Sequence, residues 1–178
     1  MGEPYSQAER ACLLAIARKS IQSRLTGTAF WPEPLTPRLR EARGIFATLY
    51  SSEGLRGCIG YPFAEEPLYH AVAEAAAAAA LHDPRFRAVT LAEAPQLRIA
   101  LSVLSSMAPI GASEIQIGRH GLMVTCGAVR GLLLPQVAVE QGWNAQSFLE
   151  NTCRKAGLLP EAWKAGRVEA FTADVFGD

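Results

Sequence analysis

GIFATLYSSEGLRGCIG, residues 44–60, reads as two extended arms about a polar turn. The first arm, GIFATLY at 44–50, is rich in β-branched and aromatic residues that fit a pleated surface. Ser51, Ser52, Glu53 and Gly54 carry turn chemistry, and LRGCIG at 55–60 forms the second arm, so the stretch predicts a β-hairpin. Side chains alternate along a strand. Leu55, Gly57 and Ile59 are therefore expected to face a core, with Gly57 admitting a neighbouring element at close range. Arg56, Cys58 and Gly60 are expected to share the other face.

Downstream, Pro67 suits a helix start, and Leu68, Val72, Ala75, Ala76 and Ala79 give an apolar helical stripe running to about His82. HDPRF at 82–86 stops that helix, because the residue before a proline avoids helical geometry. QLRIALSVL at 96–104 is a strand by its alternation of Leu97, Ile99, Leu101 and Val103 with Arg98, Ala100 and Ser102. A short extended piece is expected at 115–117. RHGLMVTCGAVRGLLLP predicts a second hairpin with arms at 121–126 and 129–134, turned at Gly127 and Ala128. The second arm is apolar enough for a central strand. Helices are expected at 135–141 and at 145–156, the latter capped by Asn144, then a short one at 160–165 and a single last strand over 167–176.

Upstream, Ser6 and Glu9 make a capping box that opens a helix with Leu13, Ile16 and Ala17 on its apolar stripe, ended by Gly27. Residues 30–38 hold Phe30, Trp31, Pro32, Pro34 and Pro37. They are expected to form an ordered loop whose aromatics are buried. Hairpins mixed with helices, rather than strictly alternating strand and helix, predict an α+β fold with a mostly antiparallel sheet flanked by helices.

At 178 residues and 49 % apolar content the chain can bury one good core, and disorder is not expected. Zero formal net charge argues against a dedicated nucleic-acid binder. No apolar run is long enough to cross a membrane, and the start lacks a secretory pattern. Cys12, Cys58, Cys126 and Cys153 form no CxxC pair and match no metal signature, which places the chain in a reducing, cytoplasmic compartment with no metal or cofactor expected.

Two readings of LRGCIG stay open. In one, Cys58 is a small packing residue and Arg56 pairs with a carboxylate elsewhere. In the other, Arg56 favours the thiolate of Cys58, which acts as a nucleophile. The glycines would then leave open backbone for a ligand, making Arg56, Gly57, Gly60 and Arg85 the candidate ligand-binding residues and Cys58 the candidate catalytic one. Asp83, Arg85 and Arg87 form either a structural ion-pair cluster or the lining of a site. His70 and His82 are roughly 18 Å apart on one helix, so they cannot share a site, and His120 sits in a turn-like GRHG. The hexapeptide lacks the glycine spacing and the Lys-Ser/Thr end of a phosphate loop.

LRGCIG at 55–60, DPRF at 83–86, SVL at 102–104, IGRHGLMV at 117–124, GLLLPQVAVEQGW at 131–143 and CRKAGL at 153–158, in this order, resemble the AMMECR domain family from about residue 8 to 176. The resemblance implies one domain over residues 1–178 with a larger and a smaller lobe, the smaller drawing on part of 96–135. It also implies partners. Members of that family occur beside, or fused to, Memo-family and radical-SAM proteins in the AmmeMemoRadiSam system, whose protein A this chain resembles. The family has no assigned reaction, so the resemblance lends importance to Leu55, Arg56, Gly57, Cys58, Ile59 and Gly60 without lending a catalytic role. The function expected is that of an accessory component binding an unknown small molecule or a partner. The alternative is a cysteine-dependent enzyme.

Overall fold

A computed structural model describes residues 4–63 and 65–178. In chain order it contains α1 (Gln7–Thr26), β1 (Ile45–Ser51), β2 (Gly54–Tyr61), α2 (Leu68–Leu81), β3 (Arg98–Leu104), β4 (Ala108–Pro109), β5 (Gly121–Cys126), β6 (Val129–Leu133), α3 (Pro135–Glu140), α4 (Ala145–Lys155), β7 (Arg167–Phe171) and β8 (Ala173–Gly177). The fold is α+β, with two four-stranded sheets in the orders β2-β1-β3-β8 and β4-β7-β5-β6. The chain divides into two compact units. One comprises the chain up to Leu104 with Asp174–Asp178, the other Ser105–Ala173. No helix among the described residues is long and apolar enough to cross a membrane.

In the first unit α1 starts as its capping box dictates. Ser6 Oγ accepts from the Glu9 amide at 3.3 Å, and Glu9 Oε2 accepts from the Ser6 amide at 2.9 Å. Leu13, Ile16 and Ala17 are buried, and Gly27 closes the helix in the left-handed region. The alanines of α2 let it lie close on α1, β1 and β2. Ile45, Ala47 and Leu49 of β1 and Ile99, Leu101 and Val103 of β3 complete this core. The Pro-rich loop departs from expectation. Phe30 packs on the core, but Trp31 is 82 % exposed. Burial alternates along residues 31–37, which run without a strand into a bend and a short 3-10 turn, so Trp31, Glu33, Leu35 and Pro37 are the exposed ones. The loop is held through Thr36, whose hydroxyl donates to Glu9 Oε1 at 2.7 Å, and not through its tryptophan.

The second unit contains the hairpin at the expected residues, with β5 and β6 meeting around Gly127. Here β6 is an edge strand, not a central one. Its apolar character serves α4, which lies so close that a Cβ on Gly131 would fall 2.4 Å from the Thr152 carbonyl oxygen. Phe148, Leu149 and Cys153 of α4 fill the core of this unit. Residues 115–117 are not a strand. The amides of Arg119 and His120 both donate to the Gln116 carbonyl, which winds the segment into a turn. The run 167–176 is two strands instead of one, broken at Thr172. Ser105 holds that residue, its amide donating to the Thr172 carbonyl at 2.9 Å and its hydroxyl accepting from the Thr172 amide at 3.0 Å.

Candidate functional site

The chemistry of LRGCIG is set by a slip in strand pairing. Leu49 lies opposite Gly57 and Tyr50 opposite Leu55, which leaves Arg56 as the extra residue of a β-bulge. A bulge resets the alternation of side chains. Beyond it Gly57 and Ile59 face the helices beside Leu49 and Ala47, as expected, and Cys58 and Gly60 share the opposite face with Thr48 and Phe46. Before it Leu55 is turned out of the core and is 43 % exposed. Arg56 and Cys58 therefore belong to two different clusters.

The first cluster closes the free edge of β2. Asp83 Oδ2 accepts from the Cys58 amide at 2.8 Å, and Arg85 Nη2 donates to the Cys58 carbonyl at 3.2 Å. The two side chains thus occupy both ladder groups of an edge residue, as a neighbouring strand would, and edges left open invite foreign pairing. Asp83, only 4 % exposed, also accepts from Arg85 Nε at 2.9 Å, Nη2 at 2.7 Å and the Arg85 amide at 3.1 Å. The Arg85 hydrogen bonds hold its carboxyl far below the usual carboxylate range, against the opposing effect of burial. The Arg85 side chain is 55 % exposed and its Nη1 carries no bond among the described residues. The Cys58 thiol is half-buried and accepts from the Thr48 hydroxyl at 3.4 Å.

Neither glycine of the hexapeptide offers open backbone. A Cβ on Gly57 would fall 2.1 Å from the Ala79 carbonyl oxygen, and one on Gly60 would fall 2.2 Å from the Phe46 ring. Both are glycine because parts of the same chain fill the space.

The second cluster belongs to Arg56. The buried guanidinium donates through Nη1 to the Arg87 carbonyl at 2.8 Å and through Nη2 to the Ala88 carbonyl at 3.3 Å, with Glu93 Oε2 at 3.5 Å. Thr90 and Glu93 form a second capping-box pair. Glu93 Oε2 accepts from the Thr90 amide and hydroxyl, each at 2.8 Å, and Thr90 Oγ1 accepts from the Glu93 amide at 3.3 Å. These Thr90 bonds, with a smaller contribution from Arg56, hold Glu93 down to about 2. Glu93 Oε1 in turn accepts from Arg87 Nη2 at 2.8 Å. A cleft of about 460 Å³ opens here, lined by Ser52, Glu53, Leu55, Arg56, Phe86 and Arg87 among others. That volume lies within the range of small-molecule sites, about 300–1,000 Å³.

Reading the sequence alone named Arg56, Cys58 and Arg85 but missed Glu93 and Thr90, although T-x-x-E at 90–93 was a visible signal. No histidine bonds Cys58 among the described residues. His70 packs edge-on to the Tyr69 ring at 4.7 Å, His82 ends α2, and His120 Nδ1 accepts from the Gln116 amide at 3.2 Å. Burial, with a smaller push from Arg119, lowers the His120 pKa. The four cysteines are free thiols, and no group of three His, Cys, Asp or Glu side chains among the described residues could hold a metal ion.

The family model AMMECR1 matches residues 14–176. A protein of Methanothermobacter thermautotrophicus is 43 % identical over 184 residues, covering 97 % of this chain and 96 % of its own length. A protein of Methanopyrus kandleri is 42 % identical, covering 99 % of this chain and 91 % of its own. The crystal structure of an uncharacterised protein from Pyrococcus horikoshii superposes with a TM-score of 0.82 at 40 % identity, covering 93 % of this chain and 89 % of the other.

Proposed function

Since the chain belongs to the AMMECR1 family, we propose that it is an accessory component that binds a small molecule or a partner at its LRGCIG strand. It would act with Memo-family and radical-SAM proteins as protein A of the AmmeMemoRadiSam system. One observation carries this reading. Arg85 is locked by a bidentate fork to buried Asp83, yet its side chain is more than half exposed and Nη1 is uncommitted among the described residues. A cation fixed in this way loses little entropy on binding. Arg56, backing the 87–93 segment, prepares a second recognition surface on the same strand.

The test is isothermal titration of the purified chain against the Memo-family and radical-SAM proteins of the same organism. Saturable heat with at least one of them, weakened in Arg85→Gln, supports the reading. No heat and no co-elution with either protein overturns it.

Arg85 beside the half-buried Cys58 also supports a second reading, in which Cys58 is a nucleophile. The absence of a histidine or carboxylate bonded to the thiol, among the described residues, ranks this below binding. Iodoacetamide labelling of the native protein separates the two. Selective, rapid modification of Cys58 ahead of Cys12 favours the nucleophile, and modification of both at similar rates counts against it.

A further inference from the structure

The cleft beside Arg56 has an unusual balance of groups. Arg87 is 72 % exposed but oriented, because Glu93 Oε1 accepts from its Nη2 and Arg56 grips its carbonyl. Glu93 itself is engaged, Oε2 accepting from Thr90 and ion-paired to Arg56, and Oε1 accepting from Arg87. Glu53 is the opposite case: its carboxylate makes no hydrogen bond or ion pair among the described residues, and its amide is anchored on Ser51 Oγ at 3.2 Å. Leu55, thrown outward by the bulge, and Phe86 add apolar surface to the same cleft.

An oriented cation, an uncommitted anion and apolar surface together define the ligand. A phosphate-bearing molecule seated on Arg87 would bring its multiple negative charge to the same cleft as the unpaired carboxylate of Glu53. A purely apolar molecule would cover the Glu53 carboxylate without a partner, which is costly. We infer that this cleft takes a small zwitterion of the amino-acid or short-peptide class, its carboxylate on Arg87, its ammonium on Glu53 and an apolar side chain against Leu55 and Phe86. The assignment rests on reading the chain as a binding component, but it requires no partner protein. Arg56 is then a positioning residue, because it acts through the Arg87 backbone.

The test titrates the full chain with the dipeptide leucylphenylalanine, with its N-acetyl form, which lacks the ammonium, and with its C-terminal amide, which lacks the carboxylate. Blocking either end is expected to weaken binding roughly tenfold, the loss of one charge-assisted contact. Glu53→Gln should weaken the parent dipeptide by a similar factor and make acetylation nearly irrelevant. Arg87→Gln should do the same for amidation. Both side chains are exposed, so circular dichroism should report an unchanged fold. Undetectable binding of the parent at millimolar concentration overturns the inference, as does equal binding of all three ligands or indifference to both substitutions. Partner titrations run alongside distinguish the two failures. If the dipeptide fails while a Memo-family or radical-SAM protein still binds, only the ligand assignment falls.

Discussion

Asp83→Asn removes one charge from a place where the structure uses it four times. The carboxylate accepts from the Cys58 amide at 2.8 Å, the Arg85 amide at 3.1 Å, and Arg85 Nε and Nη2 at 2.9 and 2.7 Å. Asparagine has the same shape, but its NH₂ would face two donors in either orientation, one of them a backbone amide. Breaking a buried ion pair costs about 3–5 kcal/mol when the surviving charge stays buried. Arg85 is more than half exposed and can turn to water, so the full figure does not apply. What remains is one amide left facing a donor at about 1–3 kcal/mol, plus weakened bonds to Arg85. We expect a loss of about 2–3 kcal/mol at pH 7, read by urea unfolding at unchanged m-value. The sign with pH follows from linkage. The folded carboxyl lies far below its ordinary value of 3.8, so its contribution is complete above about pH 5 and declines as pH falls through the unfolded value. The gap between wild type and D83N must therefore narrow between pH 7 and pH 3. A gap under about 1 kcal/mol at pH 7, or one that is the same at both pH values, refutes the edge-closing role of Asp83.

Gly57→Ala should cost about 1–3 kcal/mol or more in the same urea assay, because the new methyl meets a helix carbonyl and not a flexible side chain. Glu93→Gln should speed amide exchange at Thr90 roughly fivefold, as the hydrogen bond to its amide weakens. In the wild type that protection should persist at pH 4 and fade only as pH drops toward 2, since Glu93 titrates at about 2. Mass-spectrometric mapping after maleimide treatment of the native protein should leave Cys153 unmodified, because burial both hides its thiol and pushes its pKa up.

Signals that act over a few residues were legible along the chain. The Ser6–Glu9 box, the Asn144 cap, both hairpins and the apolar stripes of α1, α2 and α4 depend on neighbours within one or two turns. LRGCIG stood out by resemblance, and Arg85, named with it as a candidate ligand-binding residue, donates to the Cys58 carbonyl. The exposure of Trp31 was not legible, because it depends on Thr36 reaching Glu9, distant in sequence.

The geometry of the candidate site was decided in three dimensions. Nothing in the order Leu-Arg-Gly-Cys marks a bulge. The slip exists because Gly57 must stay against Ala79 while the β1–β2 turn closes at Ser51 and Gly54, and Arg56 takes up the extra residue. The one-residue slip turned Leu55 outward and moved Arg56 from the thiol to the carbonyls of Arg87 and Ala88. The edge of β2 is closed by Asp83 and Arg85, some 25 residues away along the chain, and the run 167–176 is divided between sheets by Ser105. Alternation and capping are properties of a segment, whereas register and edge pairing are properties of its partners, and only the folded chain supplies those.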